Sequence, residues 1–506
     1  MPDQTETARA SESAWTPSLP DAPTDLDPED WDGFRAAAHR ALDGILDHLE
    51  TLRDQPVWQP TPAPVRAALT APLPEEGEGI DAVLDQFDRL IRPYATGNPH
   101  PRFMGWVHGG GTVAGLVGEM LAAGLNANLG GRDHAPILVE RQVVAWMAAL
   151  FGLPAQTGGL LVTGTSIANL IGVLIARRAA LGEAVRRRGV GTARLVAYTS
   201  AAAHGCLPRA MDMAGLGTDA LRLVPTDLAG RISLPALRAA IAADRASGAA
   251  PFLLVGTAGT VDIGAIDDLA GLAAIARRER LWLHVDGAFG ALAAFAPSLR
   301  GKLEGIEAAD SLAFDFHKWG QVPYDAGCIL VRDPRHAEAA FAAPAAYLRR
   351  EERGLAGGAP WPCDLGPDLS RGFRALKVWF TLKTYGAAQL GRAIAHSCAL
   401  AQELAVRVDA EPELDLLAPV ALNIVCFRYR FETDADARNA ALVADLQEEG
   451  IAAPSTTTIG GVLAIRAAIV NHRTRGADIA ALVDAVLAAG RRYRDASVVS
   501  AWPRSA

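Results

Sequence analysis

From about residue 96 onward, short apolar runs alternate with helical stretches, and that alternation leaves few folds open to the chain. "RLVAYTS" (194–200), "FLLVGTAG" (252–259), "LWLHVDGA" (281–288), "SLAFDF" (311–316) and "GCILVRD" (327–333) have the length and composition of strands. Helical patterns such as "PALRAAIAADRASG" and "DLAGLAAIARRER" separate several of them. Alternating strands and helices predict an α/β architecture with a mainly parallel sheet covered on both faces. Sheets of that kind bind ligands at the carboxyl ends of their strands. Most of the chemically interesting residues sit there.

The flanks read differently. Residues 1–28 are polar and rich in Pro, Asp, Ser and Thr, the composition of a disordered tail. Residues 29–95 form a helical arm: Phe34, Ala38, Leu42, Ile45, Leu46 and Leu49 recur at helical spacing, and a Pro-rich connector follows. The large α/β unit is expected over 96–395. A small α+β unit is expected over 396–506, with strand-like "NIVCFRYR" and "GVLAIRAAIV" and a closing helix.

Composition excludes several classes. The net charge of −9 argues against nucleic acid as the main partner. No apolar stretch approaches the roughly 20 residues that span a bilayer, and the first residues carry no secretory signal pattern. None of the five cysteines falls in a CxxC pair, so no metal site or disulfide framework is indicated and a reducing, cytoplasmic setting is expected.

Four sites at strand ends carry chemistry. Lys318 stands in "DFHKWG", at the end of an apolar run. A buried amine tends to lose its proton, and a neutral lysine attacks aldehydes. In "GGLLVTGTSIANL" a strand meets Gly164, Thr165 and Ser166 where a helix begins, which suits a phosphate. Asp286 ends the strand of "WLHVDGAFG" with no basic neighbour in sequence, so it needs a partner such as a protonated pyridine nitrogen. His204, after another strand, has an imidazole that could lie flat on an aromatic ring. Taken singly, each has a plain structural use as a snorkelling lysine, a helix cap, a loop cap or a core histidine. Together, phosphate cradle, stacking histidine, ring-nitrogen acid and imine-forming lysine describe pyridoxal 5′-phosphate.

With those residues in view, the chain resembles the group II pyridoxal phosphate-dependent decarboxylases of fold type I, which include the aromatic-L-amino-acid, tyrosine, histidine and glutamate decarboxylases. "HPRFMG" (100–105) is similar to the family's HPxFxG, "HVDGAFG" to its HVDAAxxG and "DFHKW" to its HKW signature. "LAIRAAIVNHRTRGADI" resembles the C-terminal LR…N…T stretch. The resemblance runs from about residue 30 to the C-terminus. It implies an aspartate aminotransferase-like large domain, a homodimer, and decarboxylation of an L-amino acid to its amine.

Residue by residue, the resemblance implies that Lys318 carries the cofactor as an imine, Asp286 pairs with its ring nitrogen and His204 stacks on it. Gly164, Thr165 and Ser166 would hold the phosphate, with Gly259 and Thr260 beside them. His317 would lie near phosphate and substrate, and Asp267 near the ring. Tyr347, in "PAAYLRREERGLAGGAPWP", matches the tyrosine that starts the family's catalytic loop and protonates Cα. Phenylalanine there marks the aldehyde synthases, so amine formation is implied. His100, Phe103 and Trp106 would enclose the substrate side chain. Trp106 as an aromatic wall and Gly109 to Gly111 as freed volume favour a large planar side chain. The cradle departs from the common SGGSEAN: Thr165 replaces a small residue, Ile167 a glutamate, and Val261 stands where many members carry a second threonine. Arg371 and Arg374 could meet a carboxylate or form salt bridges. Decarboxylases of aliphatic or acidic amino acids, oxidative aldehyde synthases, other pyridoxal phosphate classes such as aminotransferases, and a degenerate binding protein are the rival readings.

Overall fold

The computed structural model describes residues 25–343 and 350–495. Its strands, in chain order, are β1 (Phe103–Met104), β2 (Gly158–Val162), β3 (Leu195–Ser200), β4 (Leu221–Val224), β5 (Ala250–Thr257) and β6 (Trp282–Asp286), then β7 (Ser311–Asp315), β8 (Gly327–Val331), β9 (Leu414–Leu416), β10 (Ile424–Tyr429), β11 (Ala453–Ile459) and β12 (Val462–Ala468). Seven of them make the large sheet, in the order β2-β8-β7-β6-β5-β3-β4. All neighbours are parallel except at β8, which runs against both β2 and β7. The mainly parallel sheet anticipated from the alternation is therefore present.

Both faces of this sheet are buried, which is why its strands read as unbroken apolar runs. Leu254, Val285, Leu312 and Phe314 pack on one face with Leu237, Leu272 and Ile275 of two covering helices. Their neighbours Leu253 and Val255 turn to the other face, against Leu170 and Val173 of the helix Thr165–Leu181. That helix therefore lies across the sheet with its first turn at the strands' carboxyl ends. The turns after β2, β3, β5, β6 and β7 all open at this edge.

The second sheet has the order β1-β11-β12-β10-β9. Here the structure redraws the expected division at 395/396. Phe103 and Met104, inside the span assigned to the large unit, pair in parallel with Ala453 and Pro454. The helix Arg374–Ala410 also crosses the boundary, with a break in helical geometry at Gly386. Ala375 and Val378 at its start belong to the large core, whereas Leu404 and Val408 near its end belong to the small one. One helix thus serves two cores, and local periodicity gives no sign of where one core stops.

The arm begins with the helix Trp31–Glu50, whose first N–H groups are capped by the Asp30 carboxylate. It reaches the small unit through Arg53, whose Nη1 lies 3.0 Å from both Asp478 carboxylate oxygens. The expected tail lies outside the described residues up to position 24.

Candidate active site

Strand β7 ends in the turn that carries the lysine. Lys318 Nζ lies 2.9 Å from Asp315 Oδ2, and Asp315 Oδ1 accepts the Thr165 N–H at 2.7 Å. One carboxylate thus ties the lysine turn to the first turn of the helix Thr165–Leu181. Burial acts to lower the Lys318 pKa, but the Asp315 carboxylate outweighs it and the net direction is upward. The amine expected to be neutral is accordingly a paired ammonium in this structure, because its counter-ion sits three residues before it. His317 Nδ1 accepts the Ala326 N–H at 3.0 Å, so the neutral ring carries its hydrogen on Nε2. Burial lowers the His317 pKa and favours that neutral form.

Asp286 ends β6 and is buried. Asn169 Nδ2 donates to its Oδ2 at 2.9 Å, and the Ala288 N–H to its Oδ1 at 3.1 Å. Burial raises its pKa, opposed by the Asn169 hydrogen bond and the Lys318 charge. His204 is exposed at the cavity mouth, its Nδ1 accepting the Cys206 N–H at 3.2 Å.

Lys318, His317, Asp286, His204, Gly164, Thr165 and Ser166 line one cavity of about 540 Å³. Gly164 caps the helix without a side chain, and the Thr165 hydroxyl is buried without a partner. The first turn therefore keeps donors free for an oxygen-rich ligand. Trp106 lies on the same cavity wall with His108 and Tyr324. Trp106 and His108 stack at 5.8 Å, and Tyr324 meets His108 edge-on at 5.9 Å.

Four expected residues lie elsewhere. Thr260 turns its hydroxyl to the Ala265 N–H, leaving Gly259 and Val261 on the cavity wall. Asp267 points away and accepts the N–H groups of Ile232 and Thr257 at 2.7 and 2.8 Å. Burial pushes its pKa up to about 6, so what it does is hold two backbone segments together. His100 faces a separate cavity under the arm, with its Nδ1 accepting the Arg102 N–H. Phe103 is buried beneath Trp106 and His108, with centroids at 6.1 and 5.7 Å. The HPRF segment is instead a structural clasp. Asn471 Nδ2 donates to the carbonyls of Asn98, Pro99 and His100, and the Thr474 hydroxyl to that of Pro101. The two distant motifs fasten to each other.

Gly109 and Gly110 of the glycine run are close approaches of the backbone and do not line the cavity around Lys318. A Cβ on Gly109 would overlap the carbonyl oxygens of His317 and Lys318, so this backbone lies directly on the lysine turn. Gly109→Ala should destabilise the protein by about 1–3 kcal/mol through overpacking, read as a lower urea midpoint. Arg371 and Arg374 also lie off the cavity. Arg371 is buried against Glu140 at 2.5 Å and donates to the Leu129 and Leu161 carbonyls, while Arg374 pairs with Asp325 at 2.8 Å. Tyr347 lies outside the described residues.

Asp315, His108 and Tyr324 are cavity residues that reading the sequence missed, as is Asn169, which lies behind Asp286 and donates to it. Asn169 follows Thr165 by four positions, a spacing that puts both on one helix face. Asp315 opens the "DFHKW" stretch itself.

A model of the pyridoxal-dependent decarboxylase conserved domain matches residues 62–430. The aromatic-L-amino-acid decarboxylase of Bacillus atrophaeus is 33% identical over 451 residues, covering 87% of this chain and 92% of that protein. The L-2,4-diaminobutyrate decarboxylase of Rhizobium meliloti (strain 1021) is 32% identical over 461 residues, covering 90% and 91%. Among solved structures, that of Oryza sativa TDC with PLP and tryptamine superposes with a TM-score of 0.86 at 26% identity, covering 93% of this chain and 100% of that one.

Proposed function

The chain belongs to the family of pyridoxal-dependent decarboxylases, and from that premise we propose that it converts an aromatic L-amino acid to the amine and carbon dioxide. Amino-acid decarboxylation with pyridoxal 5′-phosphate is its reaction, and the enzyme is a carboxy-lyase. The cavity fits that cofactor on its own chemistry: a helix start with an unpartnered Thr165 hydroxyl, a buried carboxylate at Asp286, and an amine at Lys318. Bound there, pyridoxal phosphate supplies an aldehyde that bonds to amines and a ring that accepts the electron pair left when carbon dioxide departs.

The chain's own residues divide the remaining work. Lys318 would hold the cofactor covalently and Asp286 would keep its ring nitrogen protonated. Thr165, Ser166 and the helix start would bind its phosphate, and His204 would cover one ring face. His317 keeps its Nε2–H available near the reacting end. Tyr347 delivers a proton to Cα. Tyr347→Phe should divert product from amine toward aldehyde, with oxygen consumed and ammonia and peroxide released. An unchanged amine yield would remove Tyr347 from this role.

The observation that carries the aromatic assignment is the wall of Trp106, His108 and Tyr324. Among the described cavity residues Lys318 is the only lysine or arginine, so no free cation awaits an acidic side chain. The sequence relative that decarboxylates aromatic amino acids supports the same reading. An amino-acid panel with carbon dioxide and amine measured together tests it. Tryptophan, tyrosine or 3,4-dihydroxyphenylalanine should exceed glutamate and 2,4-diaminobutyrate in kcat/KM by about a hundredfold. Trp106→Ala should lower kcat/KM for the preferred substrate about tenfold. Preference for glutamate or 2,4-diaminobutyrate would overturn the assignment.

The protein acts as a homodimer in this proposal, supported by apolar side chains left in solvent on the arm and neighbouring helices: Trp31, Phe34, Met120, Leu121, Leu125 and Leu138. A cytoplasmic setting is supported by five free thiols. No helix among the described residues is long and apolar enough to cross a membrane.

A further inference from the structure

Behind Asp286, a single file of hydrogen bonds crosses two strands and a helix. Trp282 Nε1 lies 2.8 Å from Ser311 Oγ, and Ser311 Oγ lies 2.7 Å from His284 Nδ1. His284 Nε2 lies 2.8 Å from Asn169 Oδ1, and Asn169 Nδ2 lies 2.9 Å from Asp286 Oδ2. His284 and Asn169 are fully buried, and Ser311 nearly so.

The chemistry of the members fixes every hydrogen in the file. An indole N–H can only donate, so Ser311 Oγ accepts from Trp282 and gives its own hydrogen to His284 Nδ1. Burial lowers the His284 pKa to about 4, so the ring is neutral and carries its hydrogen on Nε2. That hydrogen goes to Asn169 Oδ1, which turns the amide nitrogen toward Asp286. The opposite tautomer would leave the serine hydrogen without an acceptor and swing the Asn169 oxygen against the carboxylate. All four bonds therefore point at Asp286. The packing admits nothing else in the file's middle: a Cβ on Gly172 would sit 2.8 Å from His284 Cε1 and Nδ1.

We propose that Trp282, Ser311, His284 and Asn169 are positioning residues that hold Asp286 as an oriented carboxylate and thereby set the strength and pH range of cofactor binding. The proposal rests on the assignment of pyridoxal phosphate to this cavity. Asp286 is faced by Lys318 from the turn after β7 and by His204 and Cys206 from the segment after β3. The Cys206 thiol is pushed up to about 12 by burial and stays neutral. Among the uncharged donors, the Ala288 N–H belongs to Asp286's own loop and the Cys206 thiol stands 4.0 Å off, so Asn169 at 2.9 Å is the close donor from another element that sets the carboxylate's direction. Asn169 also follows Thr165 by one helical turn, so the same file registers the phosphate cradle against the ring acid.

The test is equilibrium binding of pyridoxal phosphate to the apo protein across pH, with apo thermal stability measured alongside. Losing a donor to a carboxylate raises its pKa, so binding should fail at a higher pH. Asn169→Leu should weaken binding about tenfold at neutral pH and move the acid limb up by about one unit. Ser311→Ala and Trp282→Phe should move it the same way by less, and they decide the matter if Asn169→Leu does not fold. His284→Leu should behave like Asn169→Leu, whereas His284→Gln, which keeps a donor toward Asn169, should restore most of the loss. Variants that lose thermal stability but keep the unaltered affinity and acid limb would reduce the file to scaffolding and overturn the proposal. If the unaltered protein takes up no pyridoxal phosphate at all, the cofactor assignment itself fails, and the proposal with it.

Discussion

Lys318→Ala should lower decarboxylation by about five orders of magnitude or more, the scale on which enzymes lose rate when a covalent-catalysis residue is removed. The cofactor would then bind without a covalent bond to the chain, so borohydride reduction followed by mass spectrometry should find no adduct. The same substitution strands Asp315, a buried carboxylate whose cation is Lys318 at 2.9 Å. Breaking such a pair costs about 3 kcal/mol, so the apo protein should also unfold earlier. Lys318→Arg separates the two effects. A guanidinium can keep Asp315 paired but cannot form the imine, so stability should return while turnover stays lost. Activity in Lys318→Ala near that of the unaltered enzyme would end the assignment.

Asp286→Asn carries the second large expectation. The side chain keeps its size, but its single carbonyl oxygen can accept from only one of Asn169 Nδ2 and the Ala288 N–H, and its amide nitrogen meets the other donor. It loses the charge that would keep the ring nitrogen protonated. Turnover should fall by about a thousandfold, the upper range for removing one electrostatic stabiliser of developing charge. Apo stability should change little, because relief of the buried charge and the one mispaired donor act in opposite directions. Burial raises the Asp286 pKa, so the ionised carboxyl costs stability once pH exceeds its folded value, and a neutral amide escapes that cost. A variant that is inactive yet no less stable would identify Asp286 as a group retained for chemistry. Full activity in Asp286→Asn, measured as carbon dioxide release, would contradict its role.

How much of this was legible in the sequence depended on how local the determinant was. The parallel strands were, because burial on both faces writes an apolar run into each one. The cavity residues at strand ends were also legible, since the topology of such a sheet brings those ends together whatever the loops do. Contacts made far along the chain were not. HPRF was expected at the substrate, but its partners are Ala453, Asn471 and Thr474, some 350 residues or more later in the chain. Thr260 and Asp267 read as ligands because polar residues near a site resemble ligands, yet Thr260 is consumed by an N–H in its own turn and Asp267 by the N–H groups of Ile232 and Thr257. The state of Lys318 was misjudged for a related reason. Desolvation can be guessed from an apolar neighbourhood, but the orientation of Asp315 toward both Thr165 and the lysine exists only after β2 and β7 are assembled.

The pairing of β1 with β11 has a consequence for synthesis. Translation delivers Phe103 and Trp106 long before Ala453, Ser455 and Arg466, which hold that segment through strand pairing and through bonds to the Trp106 N–H and carbonyl. The nascent chain thus carries an unfinished pocket wall until nearly the whole polypeptide has left the ribosome, and a product that stops short of residue 453 has nothing to close it.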